Sequence, residues 1–169
     1  MKPWAAIFLL FTLSIGCTKK SPLPTQDTTL YSLDYDQLPA PNIPGDNALT
    51  NQGVRLGRML FYENRLSGDN TMSCSSCHRQ SHAFSDTAQF STGIHGDLGH
   101  RQAMSAVNML WNTNGYFWEG RAEKLRDQSL MPIQDPLEMD ESLENVVEKL
   151  EQDTLYTVSY THLTLPTKA

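Results

Sequence analysis

The strongest constraint in this sequence is the run Cys74-Ser-Ser-Cys77-His78, which fits the pattern for covalent attachment of a c-type haem. Residues three apart lie on one face of a helical turn, so both thiols can reach the vinyl groups along one porphyrin edge. The histidine that follows can then ligate the iron. We therefore predict one haem c in this chain, attached through Cys74 and Cys77 and ligated by His78.

Two other uses of a cysteine pair fit this sequence less well. A thioredoxin-like redox pair is expected in a βαβ context, and no convincing strand surrounds residues 71–82. A structural zinc site needs further ligands, and no second pair follows at a familiar spacing. The sequence leaves five candidates for the second axial ligand of the iron: His82, His95, His100, Met104 and Met109.

The N-terminus has the pattern of an export signal. Lys2 precedes an apolar run at residues 4–13, which is too short to span a bilayer and is typical of a secretory leader. The stretch Leu-Ser-Ile-Gly that leads to Cys17 resembles a bacterial lipobox, although an ordinary signal peptide with a chance cysteine is the alternative. We predict a lipoprotein-type signal over residues 1–17, with lipidated Cys17 anchoring the chain to the membrane in the cell envelope, on the periplasmic side.

The rest of the chain divides by composition. Residues 18–46 are rich in proline and polar residues and are predicted to be a tether. Residues 47–156 are predicted to be the haem domain, and residues 157–169 resemble translated adapter sequence, so a non-native tail is expected there. The net charge of −6 disfavours nucleic acid as a partner, because nucleic acids favour basic surfaces.

Helical periodicity dominates the domain. Thr50 is a plausible N-cap for a helix that ends before the break at residues 64–70, and a last helix is expected at residues 142–152. Further helices are predicted at residues 102–112 and 121–130, after which Pro132 and Pro136 should force an extended stretch. A short helix is expected at the cysteine motif, and the glycine-containing residues 83–101 are expected to form an irregular loop.

Three blocks of sequence occur in order around the cysteine motif. They are residues 56–74 (Leu-Gly-Arg-Met-Leu-Phe-Tyr-Glu-Asn-Arg-Leu-Ser-Gly-Asp-Asn-Thr-Met-Ser-Cys), residues 117–122 (Phe-Trp-Glu-Gly-Arg-Ala) and residues 132–139 (Pro-Ile-Gln-Asp-Pro-Leu-Glu-Met). Together they resemble the N-terminal, peroxidatic half of bacterial di-haem cytochrome c peroxidases. The fold class is accordingly predicted as all-α and cytochrome c-like, with short helices and irregular loops. The resemblance also implies a second haem in a C-terminal half that is missing here.

The resemblance also implies roles for individual residues. Glu138 matches the distal acid/base of the family, and Gln128 matches the glutamine that orients peroxide. Trp118 matches the tryptophan of the family's Phe-Trp-Asp-Gly-Arg block and would contact the haem. His95, in the glycine-rich loop, would be the removable iron ligand. Some members hold calcium with an asparagine where this chain has Gln102, which makes calcium doubtful.

The function implied is reduction of hydrogen peroxide to water, with electrons from a small c-type cytochrome or a similar donor. The main alternative is a monohaem electron carrier without peroxidase activity, which would need two permanent iron ligands. A third is a family member that oxidises a protein or an organic substrate. By analogy with the two-domain enzymes, the full-length protein would be a homodimer.

Overall fold

A computed structural model describes residues 28–156. Four α-helices lie in this range: α1 (Asn51–Phe61), α2 (Cys74–Cys77), α3 (Leu125–Gln134) and α4 (Leu143–Glu151). Short 3₁₀ helices occur at Asn64–Leu66, Gln80–His82 and Met109–Trp111. Strand pairing among the described residues is limited to isolated bridges, which confirms the all-α prediction.

Local sequence signals determine helices α1 and α4. The hydroxyl of Thr50 accepts a hydrogen bond from the Gly53 backbone N–H at 3.0 Å, so the predicted N-cap is present. Ser142 is the N-cap of α4, and its hydroxyl accepts a hydrogen bond from the Asn145 N–H at 3.1 Å. These caps satisfy N–H groups that have no partner inside the helix.

The core lies where α3 and α4 meet the 3₁₀ turn before the cysteine motif. Its buried members are Leu66, Ile133, Met139 and Val146, and Leu60, Met72, Leu143 and Leu150 pack around them. Leu143, Val146 and Leu150 of α4 therefore face the core. Met72 and Met139 belong to this cluster. The core therefore holds the segment just before the cysteine motif and the residue next to Glu138.

The helix predicted at residues 102–112 is wrong except for the 3₁₀ turn Met109–Trp111. The backbone before that turn pairs with the loop after the cysteine motif instead. The Ala106 N–H donates to the Phe84 carbonyl at 3.1 Å, and the Ser105 hydroxyl donates to the Ala83 carbonyl at 2.6 Å. These long-range bonds replace the i to i−4 bonds of a helix.

Helix α3 begins later than the predicted residue 121. The backbones of Tyr116 and Ala122 form an isolated bridge, in which the Tyr116 N–H donates to the Ala122 carbonyl at 2.7 Å. The turn between them contains Gly120 at φ +71°, a conformation that glycine adopts without strain. This turn keeps its residues out of the helix, which starts at Leu125.

The prediction that Pro132 forces an extended stretch is also wrong, because this residue lies inside α3. Proline removes one N–H donor from a helix, but the chain that follows supplies donors to the helix end. The Met139 N–H donates to the Pro132 carbonyl at 3.3 Å, and the Glu141 N–H donates to the Ile133 carbonyl at 2.8 Å. The chain therefore turns back over the end of α3, and Glu138 lies on this turn.

The described part of the predicted tether lies against the domain. The Trp111 indole N–H donates to the Pro39 carbonyl at 2.7 Å, and Asp46 pairs with Arg126 of α3 at 2.9 Å. Residues before 28, including Cys17, and the tail at 157–169 lie outside the described residues. Within residues 28–156, no helix combines the length and the apolar character needed to cross a bilayer.

Candidate haem site

Helix α2 presents the two cysteines from a single turn. It spans Cys74–Cys77, so the thiol-bearing residues are separated by three positions and share one face. The Ser73 N–H donates to the Ser76 hydroxyl at 3.1 Å at its start. The His78 N–H donates to the Cys74 carbonyl at 2.9 Å at its end. The motif is therefore ordered by its own short-range hydrogen bonds.

A buried serine supports the chain that enters α2. Ser67 is fully buried, and its hydroxyl donates to the Asn64 carbonyl at 2.9 Å and accepts from the Met72 N–H at 3.0 Å. The Lys149 ammonium of α4 donates to the Ser67 carbonyl at 2.9 Å and pairs with the buried Glu141. Because every one of these polar groups has a partner, the segment before the motif is held rigidly on α4.

Both thiols are free and partly buried. Burial raises the pKa of Cys74, and the nearby charges of Cys77 and Glu138 raise it further. Burial likewise raises the pKa of Cys77, against a lowering contribution from the hydroxyl of Ser91. The Glu138 carboxylate is thus close enough to act electrostatically on both thiols. The tertiary fold brings the predicted attachment residues and the predicted acid/base into one neighbourhood.

The His78 imidazole is oriented by a backbone carbonyl. Its Nδ1 lies 3.0 Å from the Phe84 carbonyl oxygen, and since a carbonyl only accepts, Nδ1 carries the proton. Nε2 is then the nitrogen with a lone pair for a metal. Metal-ligating histidines commonly donate their other ring N–H in this way. Two free thiols on one helical turn, followed by an imidazole in this tautomer, fit a haem c.

Glu138 lines an open cavity of about 360 Å³. The cavity is lined by Phe117, Arg121, Met131, Pro132, Gln134, Asp135, Pro136 and Glu138. Burial raises the pKa of Glu138, and the charge of Asp135 raises it further, while the Arg121 guanidinium lowers it. Such a carboxyl retains its proton to a higher pH than an exposed glutamate does, which suits it to accepting and returning a proton.

Gln128 does not line this cavity as the structure stands. It is partly buried on α3, one helical turn before the cavity-lining Pro132 and therefore on the same side of the helix. The side-chain amide in the cavity lining belongs to Gln134. Its nitrogen donates to the Leu130 carbonyl at 3.0 Å.

Sequence reasoning did not single out Arg121 and Asp135, which share the cavity with Glu138. The Arg121 guanidinium lies over the Phe117 ring, 3.3 Å from its centroid, and pairs with Glu119. Both arginine and phenylalanine belong to the Phe-Trp-Glu-Gly-Arg block, so that block carried a signal for them. Asp135 lies in the Pro-Ile-Gln-Asp-Pro block, where only the glutamate was assigned a role.

Trp118 lies at the surface of the described residues. Its side chain is 60% exposed, and its indole N–H donates to the Gln102 carbonyl at 2.9 Å. Its neighbour Phe117 has φ +63°, an uncommon value for an aromatic residue. The turn therefore directs these two rings apart, with Phe117 lining the cavity and Trp118 on the outside.

His95 contacts Asp140 and does not line the cavity. Its Nε2 lies 2.8 Å from Asp140 Oδ2, and the two side chains are 54% and 46% exposed. Among the other candidates for the second axial position, His82 is exposed and bonded to Ser81, and His100 is exposed. Met104 and Met109 are partly buried.

The sequence is similar to a family of haem proteins. The model of the family described as di-haem cytochrome c peroxidase matches residues 51–164. The methylamine utilization protein MauG of Methylorubrum extorquens is 32% identical over 87% of this chain and 43% of its own length. The cytochrome c peroxidase Ccp of Escherichia coli is 36% identical over 68% of this chain and 25% of its own length. This chain spans less than half the length of these relatives.

Solved structures agree with the sequence comparison. A MauG-like protein associated with microbial copper homeostasis superposes with a TM-score of 0.69 and 33% identity, covering 80% of this chain and 42% of that one. The diheme peroxidase BthA from Burkholderia thailandensis superposes with a TM-score of 0.56 and 27% identity, covering 61% of this chain and 30% of that one. The cytochrome c-like fold prediction is confirmed by these superpositions.

Proposed function

This chain belongs to the di-haem cytochrome c peroxidase family, and on that premise we propose that it reduces hydrogen peroxide to water with electrons from a small c-type cytochrome. Members of the family are haem-dependent oxidoreductases that include both peroxidases and MauG proteins. The family therefore establishes the class of chemistry. The choice of hydrogen peroxide as substrate is our proposal.

The observation that carries the proposal is the position of Glu138. This carboxyl is partly buried, lines a cavity and lies within electrostatic range of both motif thiols. Proton transfer to and from peroxide oxygens needs a positioned acid/base group, and a raised pKa makes this carboxyl a better proton acceptor than an exposed glutamate. A chain that only carried electrons would have no need of such a group.

Each residue at the site would then have a defined part. Cys74 and Cys77 would hold the haem covalently and His78 would ligate its iron, which supplies the redox chemistry when bound. Glu138 would accept a proton from one peroxide oxygen and return it to the other. Gln128 would orient the peroxide through its amide once its side chain turns toward the cavity.

The cellular location of the protein is proposed from its N-terminal sequence. Attachment of haem c takes place outside the cytoplasm, and the predicted signal over residues 1–17 is consistent with export. We propose a location in the cell envelope, with lipidated Cys17 as the anchor. Retention of the protein in the membrane fraction, and its release in a Cys17→Ala variant, would test this.

Peroxidase activity is tested directly with the haem-loaded chain, produced together with a cytochrome c maturation system. The assay follows oxidation of a reduced small c-type cytochrome after addition of hydrogen peroxide. We expect Glu138→Gln to lower kcat by about 10²–10⁴-fold, with unchanged covalent haem content. The matched control is Glu148→Gln, since Glu148 is an exposed glutamate on α4.

The pH profile gives a second readout. Because the pKa of Glu138 is raised, the acidic limb of kcat should lie above the usual carboxyl range, and Glu138→Gln should remove that limb. Full activity in Glu138→Gln would refute the proposed acid/base. A haem-loaded wild-type chain whose iron keeps two permanent ligands and does not react with peroxide, even when the haem is reduced directly, would instead support the electron-carrier alternative.

A further inference from the structure

The contact between His95 and Asp140 has no part in the proton transfer proposed above. It joins the glycine-containing loop after the cysteine motif to the turn that follows α3. The imidazole Nε2 lies 2.8 Å from the Asp140 carboxylate oxygen. An ionised carboxylate only accepts hydrogen bonds, so Nε2 carries the proton in this contact. A protonated ring nitrogen has no lone pair to offer a metal, so His95 in this position cannot ligate iron through Nε2.

Asp140 is held in place by the turn on which it lies. Its backbone has φ +42°, a left-handed conformation that aspartate tolerates better than most residues. Its N–H donates to the Asp135 carbonyl at 3.0 Å, and the preceding Met139 is buried in the core. The carboxylate therefore projects from a fixed backbone position.

The loop that carries His95 is docked on the same turn. The Ile94 N–H donates to the Glu138 carbonyl at 2.9 Å. A Cβ on Gly93 would lie only 2.1 Å from the Leu137 carbonyl oxygen, so only glycine permits this close approach. Two backbone contacts thus bring His95 next to Asp140, and the side-chain pair is one part of a wider interface.

We propose that Asp140 is a positioning residue that competes with the haem iron for Nε2 of His95 and holds the imidazole in the displaced position. This inference rests on the proposed function and on the role of removable iron ligand that the family resemblance implies for His95. Ion pairs with this degree of exposure contribute about 0.2–1 kcal/mol. Loss of the pair should therefore raise the ratio of iron-bound to displaced His95 by up to about fivefold.

The experiment measures that ratio by electron paramagnetic resonance of the ferric haem-loaded chain. A six-coordinate haem with two histidine ligands is low-spin, and a haem without His95 is high-spin. We expect the low-spin to high-spin ratio to rise by up to about fivefold in Asp140→Ala and by less in Asp140→Asn. Asparagine keeps a hydrogen-bond acceptor and tolerates the left-handed backbone, so it separates the contact from any effect on folding.

Two further variants identify the source of the signal. Asp97→Ala removes an exposed carboxylate from the same loop and should leave the ratio unchanged. In a His95→Ala background, Asp140→Ala should have no effect. An unchanged ratio in Asp140→Ala, while His95→Ala abolishes the low-spin signal, would overturn the role of Asp140 alone. A low-spin signal that survives His95→Ala would overturn His95 as the ligand and Asp140 with it, while peroxide turnover independently tests the proposed function.

Discussion

Replacing Glu63 with glutamine should destabilise the domain in a strongly pH-dependent way. The Glu63 carboxylate accepts hydrogen bonds from the Arg65 guanidinium at 2.8 and 2.9 Å and from the Arg65 backbone N–H at 2.9 Å. It also accepts from the Tyr156 hydroxyl at 2.7 Å. A glutamine offers one acceptor oxygen in place of two, so its amide nitrogen would face a donor.

The size of the effect follows from the pKa of Glu63. Hydrogen bonds from Arg65 are the largest cause of its fall from the ordinary 4.5 to about 2, and this change corresponds to about 3.4 kcal/mol. The Glu63 side chain is only 13% exposed, but that of Arg65 is 31% exposed, so solvent screening reduces the value. We expect Glu63→Gln to lower the free energy of unfolding by about 2–3 kcal/mol at pH 6.

The sign of the pH dependence is fixed by the direction of the pKa change. Because the folded-state pKa of Glu63 is lowered, its contribution is fully present above pH 4.5 and is lost as the pH falls toward about 2. Urea unfolding of the haem-loaded wild type and variant should be compared at pH 6 and at pH 2–3. Carboxyl groups away from Arg65 titrate equally in both proteins and cancel in the difference, whereas Asp153 also pairs with Arg65 and is coupled to Glu63. A difference that stays constant across this range would refute the reasoning.

Three further substitutions test the packing, each by urea unfolding of the haem-loaded chain. Gly93→Ala should destabilise the domain by about 1–3 kcal/mol or more, because its Cβ would meet the Leu137 carbonyl. The control Gly45→Ala has open space around its Cβ and should change the free energy of unfolding by less than about 0.5 kcal/mol. Equal effects of the two substitutions would contradict the close approach at Gly93. Thr50→Ala should cost about 1 kcal/mol by removing the cap of α1, and no loss would mean that the cap is dispensable. Ile133→Ala should cost about 2–5 kcal/mol, since this residue is buried in the core, and a loss below 1 kcal/mol would place it outside the core.

The features that the sequence predicted well depend on neighbours along the chain. Thr50 and Ser142 cap their helices through bonds that reach only three residues ahead. The spacing of Cys74 and Cys77 places both thiols on one helical turn without help from the rest of the fold. Hydrogen bonds of this range are encoded by local residue type and spacing, so periodicity and capping rules were sufficient to find them.

Two of the wrong predictions, the helix at residues 102–112 and the extended stretch at Pro132, have the opposite origin. The stretch before Met109–Trp111 bonds to the loop at Phe84. Helix α3 continues through Pro132 to an end at which the Pro132 and Ile133 carbonyls accept from the chain that folds back over it. Local propensity is a weak preference that such tertiary contacts override. Neither contact could be read from the residues of the stretch itself.

Sequence alone specifies the attachment motif, the capped helices and the all-α class, because these depend on bonds within a few residues. Only the tertiary structure brought Glu138 near the motif thiols, set the tautomer of His78 through the Phe84 carbonyl and joined His95 to Asp140 across 45 positions. The physical reason is that burial and electrostatic interaction depend on distance in space. The turn after α3 brings these groups together by folding back over the helix end.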